Sequence, residues 1–138
     1  MNIGDVMDEI AVRLRQAPSL AGRTYAYPQA TIIAPAAIVE YPTEGTFDET
    51  YGRGFDRMNG VVVVAVGNPT ARQTRDLLTK YMDGSGSESV KALLDGDRGS
   101  YTSCDAVRVK DWVTDVNTVG GNDYLCAIFN LDIAGRGA

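Results

Sequence analysis

The chain has 138 residues, 44% of them hydrophobic and 22% charged, enough for one domain that buries roughly two-thirds of the surface its unfolded chain exposes. That balance excludes a disordered or fibrous chain. Its 13 basic residues are scattered and outnumbered by 18 acids, for a net charge of −5, which argues against gripping a phosphate backbone, since that needs clustered Lys and Arg.

An acidic wall past which DNA slides remains compatible with this charge. The longest apolar run, residues 61–66, falls far short of the ~20 residues of a membrane span. Asp5, Asp8 and Glu9 near the start do not read as a signal peptide. The expectation is a protein without a membrane partner, made and kept in the cytoplasm. Cys104 and Cys126 give neither a disulfide framework nor metal spacing and read as small buried hydrophobes.

The first predicted element is a helix. Asn2 suits the N-cap and Asp5 stands three residues on, as in a capping box. Ile3, Val6, Met7, Ile10, Leu14 and Ala17 form one stripe at helical spacing. Acids at its start and Arg13 and Arg15 near its end complement the helix dipole, and Pro18 closes it. From 20 to 42, short apolar pieces alternate with Pro28, Pro35 and Pro42. Residues 31–33 and 38–41 are candidate short strands at a sheet edge, where proline is tolerated.

Residues 43–59 are rich in glycine, charge and aromatics. Phe47, Tyr51 and Phe55 follow no core period. Either their hairpin folds its aromatics back on the core, or it projects toward another subunit. Phe47, Tyr51, Arg53, Phe55 and Arg57 are the candidate interface residues, because aromatics and Arg are enriched at interfaces.

Residues 61–66 read as a strand buried on both faces. Asn68 and Pro69 are placed as N-cap and first residue of a second helix, whose buried face is Ala71, Thr74, Leu77, Leu78, Tyr81 and Met82. Gly84 is its stop. Residues 83–88 (DGSGSE) form a flexible link, and Ser87 is placed as the cap of a short helix carrying Val90, Leu93 and Leu94. After a turn at 95–100, Val107 and Val109 face one way while Trp112 and Val116 have the opposite parity, which predicts a bulge near Lys110 and Asp111. Residues 117–123 (NTVGGND) make a turn. Leu125, Ala127, Phe129, Leu131 and Ile133 then alternate as a half-buried antiparallel strand, with a fraying tail after it. The order predicts a single α+β domain, spanning residues 1–138: a mixed or antiparallel sheet with two to three helices packed on one face.

Chemistry is sparse. Histidine is absent, which excludes Ser–His–Asp and Cys–His arrangements and removes the commonest general base and metal ligand. Asp95 and Asp97 are the tightest carboxylate pair, and 83–88 loosely suggests a calcium loop. The twelfth position of such a loop falls on Leu94, where a bidentate Glu is needed. Gly84 and Gly86 start a GxG pattern, but Ser89 stands where the third glycine belongs. The expectation is no enzyme, no cofactor, no metal and no catalytic residue.

Taken in order, nearly the whole chain resembles the tail terminator (tail completion) proteins of long-tailed bacteriophages, especially those infecting actinobacteria. The resemblance runs through the N-terminal helix, the strand APAAIVEYP, the loop GTFDETYGRGFDRMNG, the strand VVVVAVG and the helix NPTARQTRDLLTKYM. It continues through SVKALLD, AVRVKDW and the ending GGNDYLCAIFNLDIAG. No single motif is diagnostic; order and spacing carry the likeness. It implies an α+β virion protein that forms a homohexameric ring at the head–tail junction and is assembled in the host cytoplasm. Such a ring caps the head-proximal end of the tail tube, stops its polymerisation and presents a surface to the head-completion protein. DNA passes through its lumen without specific binding. Another head–tail connector or a minor tail-tube protein is the alternative, and a small metal-dependent enzyme at residues 83–97 a remoter one.

Overall fold

In a computed structural model, residues 1–48, 54–96 and 100–136 are described. Among the described residues three helices and five strands follow one another. Helix α1 spans Ile3–Leu14, and a 3-10 turn, Pro18–Leu20, leads to β1, Thr24–Tyr25. Strands β2, Ala36–Thr46, and β3, Phe55–Gly67, precede α2, Arg72–Met82, and α3, Val90–Asp95. Strands β4, Ala106–Val119, and β5, Asn122–Arg136, complete the order. The sheet runs β1-β2-β3-β5-β4, with β1 parallel to β2 and every other pair antiparallel. The α+β architecture with helices on one face is as expected.

The helices lie on one face because only one face of each is apolar. In α1, Val6, Met7, Ile10, Ala11 and Leu14 are buried, and the Asn2 side chain accepts the Asp5 amide as N-cap. Ile3 drops out of the predicted stripe at 49% exposure. Helix α1 packs over β2, α2 over β3 and β5, and α3 over β4. Beneath them Val62, Val64, Phe129, Leu131 and Ile133 are at most 1% exposed. Gly60 sits under this layer, opposite Leu131; a Cβ there would stand 2.7 Å from Ile133 Cδ1, so the glycine permits the close approach.

Several local expectations are corrected. Helix α2 starts three residues later than Pro69, because the Asn68 side chain accepts from the Thr70 amide and hydroxyl instead of capping a helix. Its N-cap is Ala71, which is exposed, and its end is the extended residue Asp83 rather than Gly84. The cap of α3 is Ser89, whose hydroxyl accepts the Ala92 amide, not Ser87. Residues 31–33 are not a strand. Residues 38–41 are, as part of the longer β2. Strand β5 continues to Arg136, whose carbonyl accepts from the N-terminal amine of Met1; residues 137 and 138 of the tail lie outside the described residues.

The bulge in β4 does fall between Val109 and Asp111. It turns Trp112 to the helix side of the sheet, in line with Phe129. The turn joining β4 to β5 is two residues, Gly120 and Gly121, both with positive φ (59° and 84°), the backbone a type I′ hairpin turn requires.

Candidate assembly surface

The second face of the sheet is where expectation and structure part. Residues 61–66 are not buried on both faces: Val62 and Val64 are covered by helices, while Val61 and Val63 are half-buried on the other side. The registers arrange that open face in rows across four strands. Ile38, Val63, Ile128 and Val113 form one row. The next holds Glu40, Val61, Asn130 and Asp111, and the one after it Glu44, Asn59, Asp132 and Arg108. Residues 26–35 pass over the end nearest the β4–β5 turn, where the Tyr124 hydroxyl donates to the Ile32 carbonyl at 3.5 Å. Ala36, Ala65 and Cys126 in that covered row are at most 1% exposed. Away from this strap the face opens, and Val113 is 53% exposed.

Strand β4 is exposed on both sides of its second half. Helix α3 packs on β4, where Val107 and Val109 are buried, whereas Trp112 and Val116 further along the same side are 48% and 49% exposed. Both directions of this edge strand therefore present apolar side chains. Exposed apolar edge strands are the usual template for pairing with another chain.

The five predicted interface residues divide. Phe47 follows β2 and is 77% exposed, and Phe55 opens β3 opposite Arg136 at 43%. Arg57 lies on the open face, where its Nε ion-pairs with Asp132 at 3.3 Å. Phe55 and Arg57, as alternate residues of one strand, share that face. The neck of the hairpin is tied by the Asp48 amide donating to Asp56 Oδ1. Tyr51 and Arg53 lie outside the described residues. The reading in which the aromatics fold back on the core is thus overturned for Phe47.

Sequence reasoning missed Trp112, Val113 and Val116 as surface residues. A signal was present: consecutive apolar residues in a strand point to opposite faces, so Trp112 and Val113 cannot both enter one core.

The carboxylates considered for metal binding are engaged elsewhere. Glu88 accepts from the Ser19 amide and hydroxyl, which ties the loop after α2 to the 3-10 turn. Asp95, 6% exposed, accepts from Lys91 Nζ at 2.8 Å and from the Val109 amide at 2.9 Å. Asp83 accepts from the Ser85 amide. Asp97 lies outside the described residues. Glu9 on α1 accepts from the amides of Thr102 and Ser103 and from the Ser103 hydroxyl. Burial alone would raise its pKa, but these hydrogen bonds and Arg13 outweigh it and hold the carboxyl below its ordinary value. Arg13 also stacks over the Tyr101 ring at 3.6 Å. These groups fasten the helices and loops to the sheet. The two thiols are buried as expected; burial first, then the nearby Glu9 charge, pushes Cys104 up to about 11.

Searches against protein-family models and against curated proteins found no match to this chain.

Proposed function

We propose that this chain is the tail terminator of a long-tailed phage, a structural subunit rather than an enzyme. Copies of it form a ring, six by the family resemblance. The ring seats on the head-proximal end of the tail tube, stops tube growth and offers its far side to the head-completion protein. The order and spacing of the sequence elements support the phage assignment. The observation that carries assembly is the edge strand β4, fourteen residues long with Trp112, Val113 and Val116 exposed around it.

The physics of termination needs only asymmetry. Head-to-tail contacts between identical subunits close into a ring when the rotation between neighbours closes. One side of the ring matches the tube end; the other does not repeat the tube's own surface, so the next tube ring finds nothing to bind. On the open sheet face five acids, Glu40, Glu44, Asp111, Asp115 and Asp132, stand among four bases, Arg57, Arg108, Lys110 and Arg136, so no basic patch forms there. Turned toward the lumen, such a face lets DNA pass without the counterion release that gripping needs.

The assignment is tested by adding the purified protein to polymerising tail-tube protein and measuring tube lengths by negative-stain electron microscopy. The expected result is shorter tubes with extra density at one end. Unchanged lengths contradict the proposal, and tubes grown from this protein alone point to a tube component instead.

A further inference from the structure

Strand β4 is last in the sheet order, so its outer side pairs with no other strand among the described residues. That side is not open along its whole length. At Val109 the amide donates to Asp95 Oδ2 at 2.9 Å, and the carbonyl accepts from Lys91 Nζ at 3.5 Å. Helix α3 thus plugs the edge there. Beyond the bulge, the register with β5 runs without a break from Asp111 to Val119. The Val116 amide donates to the Asp115 carboxylate at 2.8 Å, which marks it as pointing outward. Backbone groups of an antiparallel strand alternate between its two sides. Trp112, Thr114 and Thr118 therefore point theirs outward as well. The free edge starts at Trp112, just past the α3 plug, and ends at the Gly120–Gly121 turn.

A free edge of this kind templates pairing with another strand, and its own residues decide whether a second copy fits. In an antiparallel pair about a two-fold axis, one residue stands opposite itself and fixes every other pair. An axis at Trp112 sets Thr114 of the second copy against Val109, where α3 stands. An axis at Val113 sets Asp111 against Asp115, and one at Asp115 sets that carboxylate against itself; like charges directly opposite are destabilising. An axis at Val116 brings only the Gly120 turn opposite Trp112 and leaves the ring uncovered. An axis at Thr114 meets none of these obstacles. Thr114 then faces its own copy, a favourable cross-strand pair. Trp112 faces Val116 twice on the helix side, and these are the side chains left 48% and 49% exposed in the single subunit. On the open side Asp111 faces Asn117, whose amide can donate to it, and Asp115 faces Val113.

We propose that two free copies of this chain pair through β4 about a two-fold axis at Thr114. The Trp112 carbonyl of the second copy takes the Val116 amide that the Asp115 carboxylate now holds. This goes beyond the ring reading and stands without it. A two-fold contact closes with two copies, so the pair is the form of the free subunit, and β4 is open to a ring only once the pair parts.

The test follows the purified protein through a dilution series by analytical ultracentrifugation and intrinsic fluorescence. The sequence has one tryptophan, so emission reports on Trp112 alone. The expected result is a monomer–dimer equilibrium in which the emission moves to shorter wavelength as dimer forms. Thr114→Pro removes an outward N–H that β5 does not use. It should raise the dissociation constant on the order of tenfold or more while the monomer's melting temperature holds. Thr114→Cys should cross-link under mild oxidation, since directly opposite residues of a hydrogen-bonded pair stand about 5.5 Å apart at Cα, within disulfide range. Thr118→Cys should not. Dimers indifferent to Thr114→Pro, or equal cross-linking at position 118, overturn the pairing. So does a chain that is monomeric at every concentration, or one that forms rings while free, the latter in favour of the ring reading. A pair that behaves as expected beside unchanged tube lengths upholds this contact and overturns the terminator assignment.

Discussion

The two faces of the sheet use the same residue types for different ends. On the covered face Val62, Val64, Phe129 and Leu131 are sealed at 0% or 1% exposure. Polar groups there act as fasteners: Asp95 takes the Val109 amide, and Glu9 takes the loop at Thr102 and Ser103. On the open face Val61, Val63 and Ile128 are only half-buried and Val113 more than half exposed. Folding is driven by the first face, because free energy scales with apolar area removed from water. The second face leaves apolar area uncovered in the monomer, and such area is what association can bury.

The sharpest break of this comparison is a core truncation. Phe129→Ala should cost about 3–5 kcal/mol, enough to unfold much of a marginally stable domain, as read by urea denaturation. A cost under about 1 kcal/mol would deny that the covered face carries the fold. The next effect is alkaline. Burial pushes Tyr81 up to about 12 and Cys104 up to about 11. Both groups hold their protons more tightly folded than unfolded, so their contribution is fully present below the ordinary values of 10.0 and 9.0. It is lost as pH rises toward 11 and 12, and the melting temperature should fall across that window; a flat profile from pH 9 to 12 would contradict the burial of these groups.

A smaller loss, about 2–3 kcal/mol, is expected from Asp95→Ala, which strands the buried Val109 amide and frees Lys91. Chemical denaturation measures it, and a neutral result would mean that water replaces the carboxylate. The smallest stability change belongs to the open surface. Val113→Ser, or Phe47→Ser with Phe55→Ser, should shift stability by no more than about 0.5 kcal/mol. The Phe47/Phe55 variant should also fail to dock on tube ends. Normal docking by the Phe47/Phe55 variant would remove the hairpin from the interface.

Much of the fold was legible because periodicity reports which face a helix or strand buries. The alternation from Leu125 to Ile133 and the parity switch around Lys110 led directly to β5 and to the β4 bulge. Where the reading failed, a side chain had a competing local use. Asn68 closes its own turn rather than capping α2. The run 61–66 looked doubly buried because valines on an uncovered face are the same letters as valines in a core. The assembly surface was legible only at the hairpin, where aromatics among charges stood out. At Trp112 and Val113 nothing in composition says that neither side of the second half of β4 is covered.

The most direct test of the central claim is electron microscopy of lysates from a phage carrying this gene with an early stop codon, with and without complementation. The account predicts DNA-filled heads beside overlong, unjoined tails, restored to normal length by the complementing copy. Infectious particles with tails of normal length, made without the protein, would contradict it.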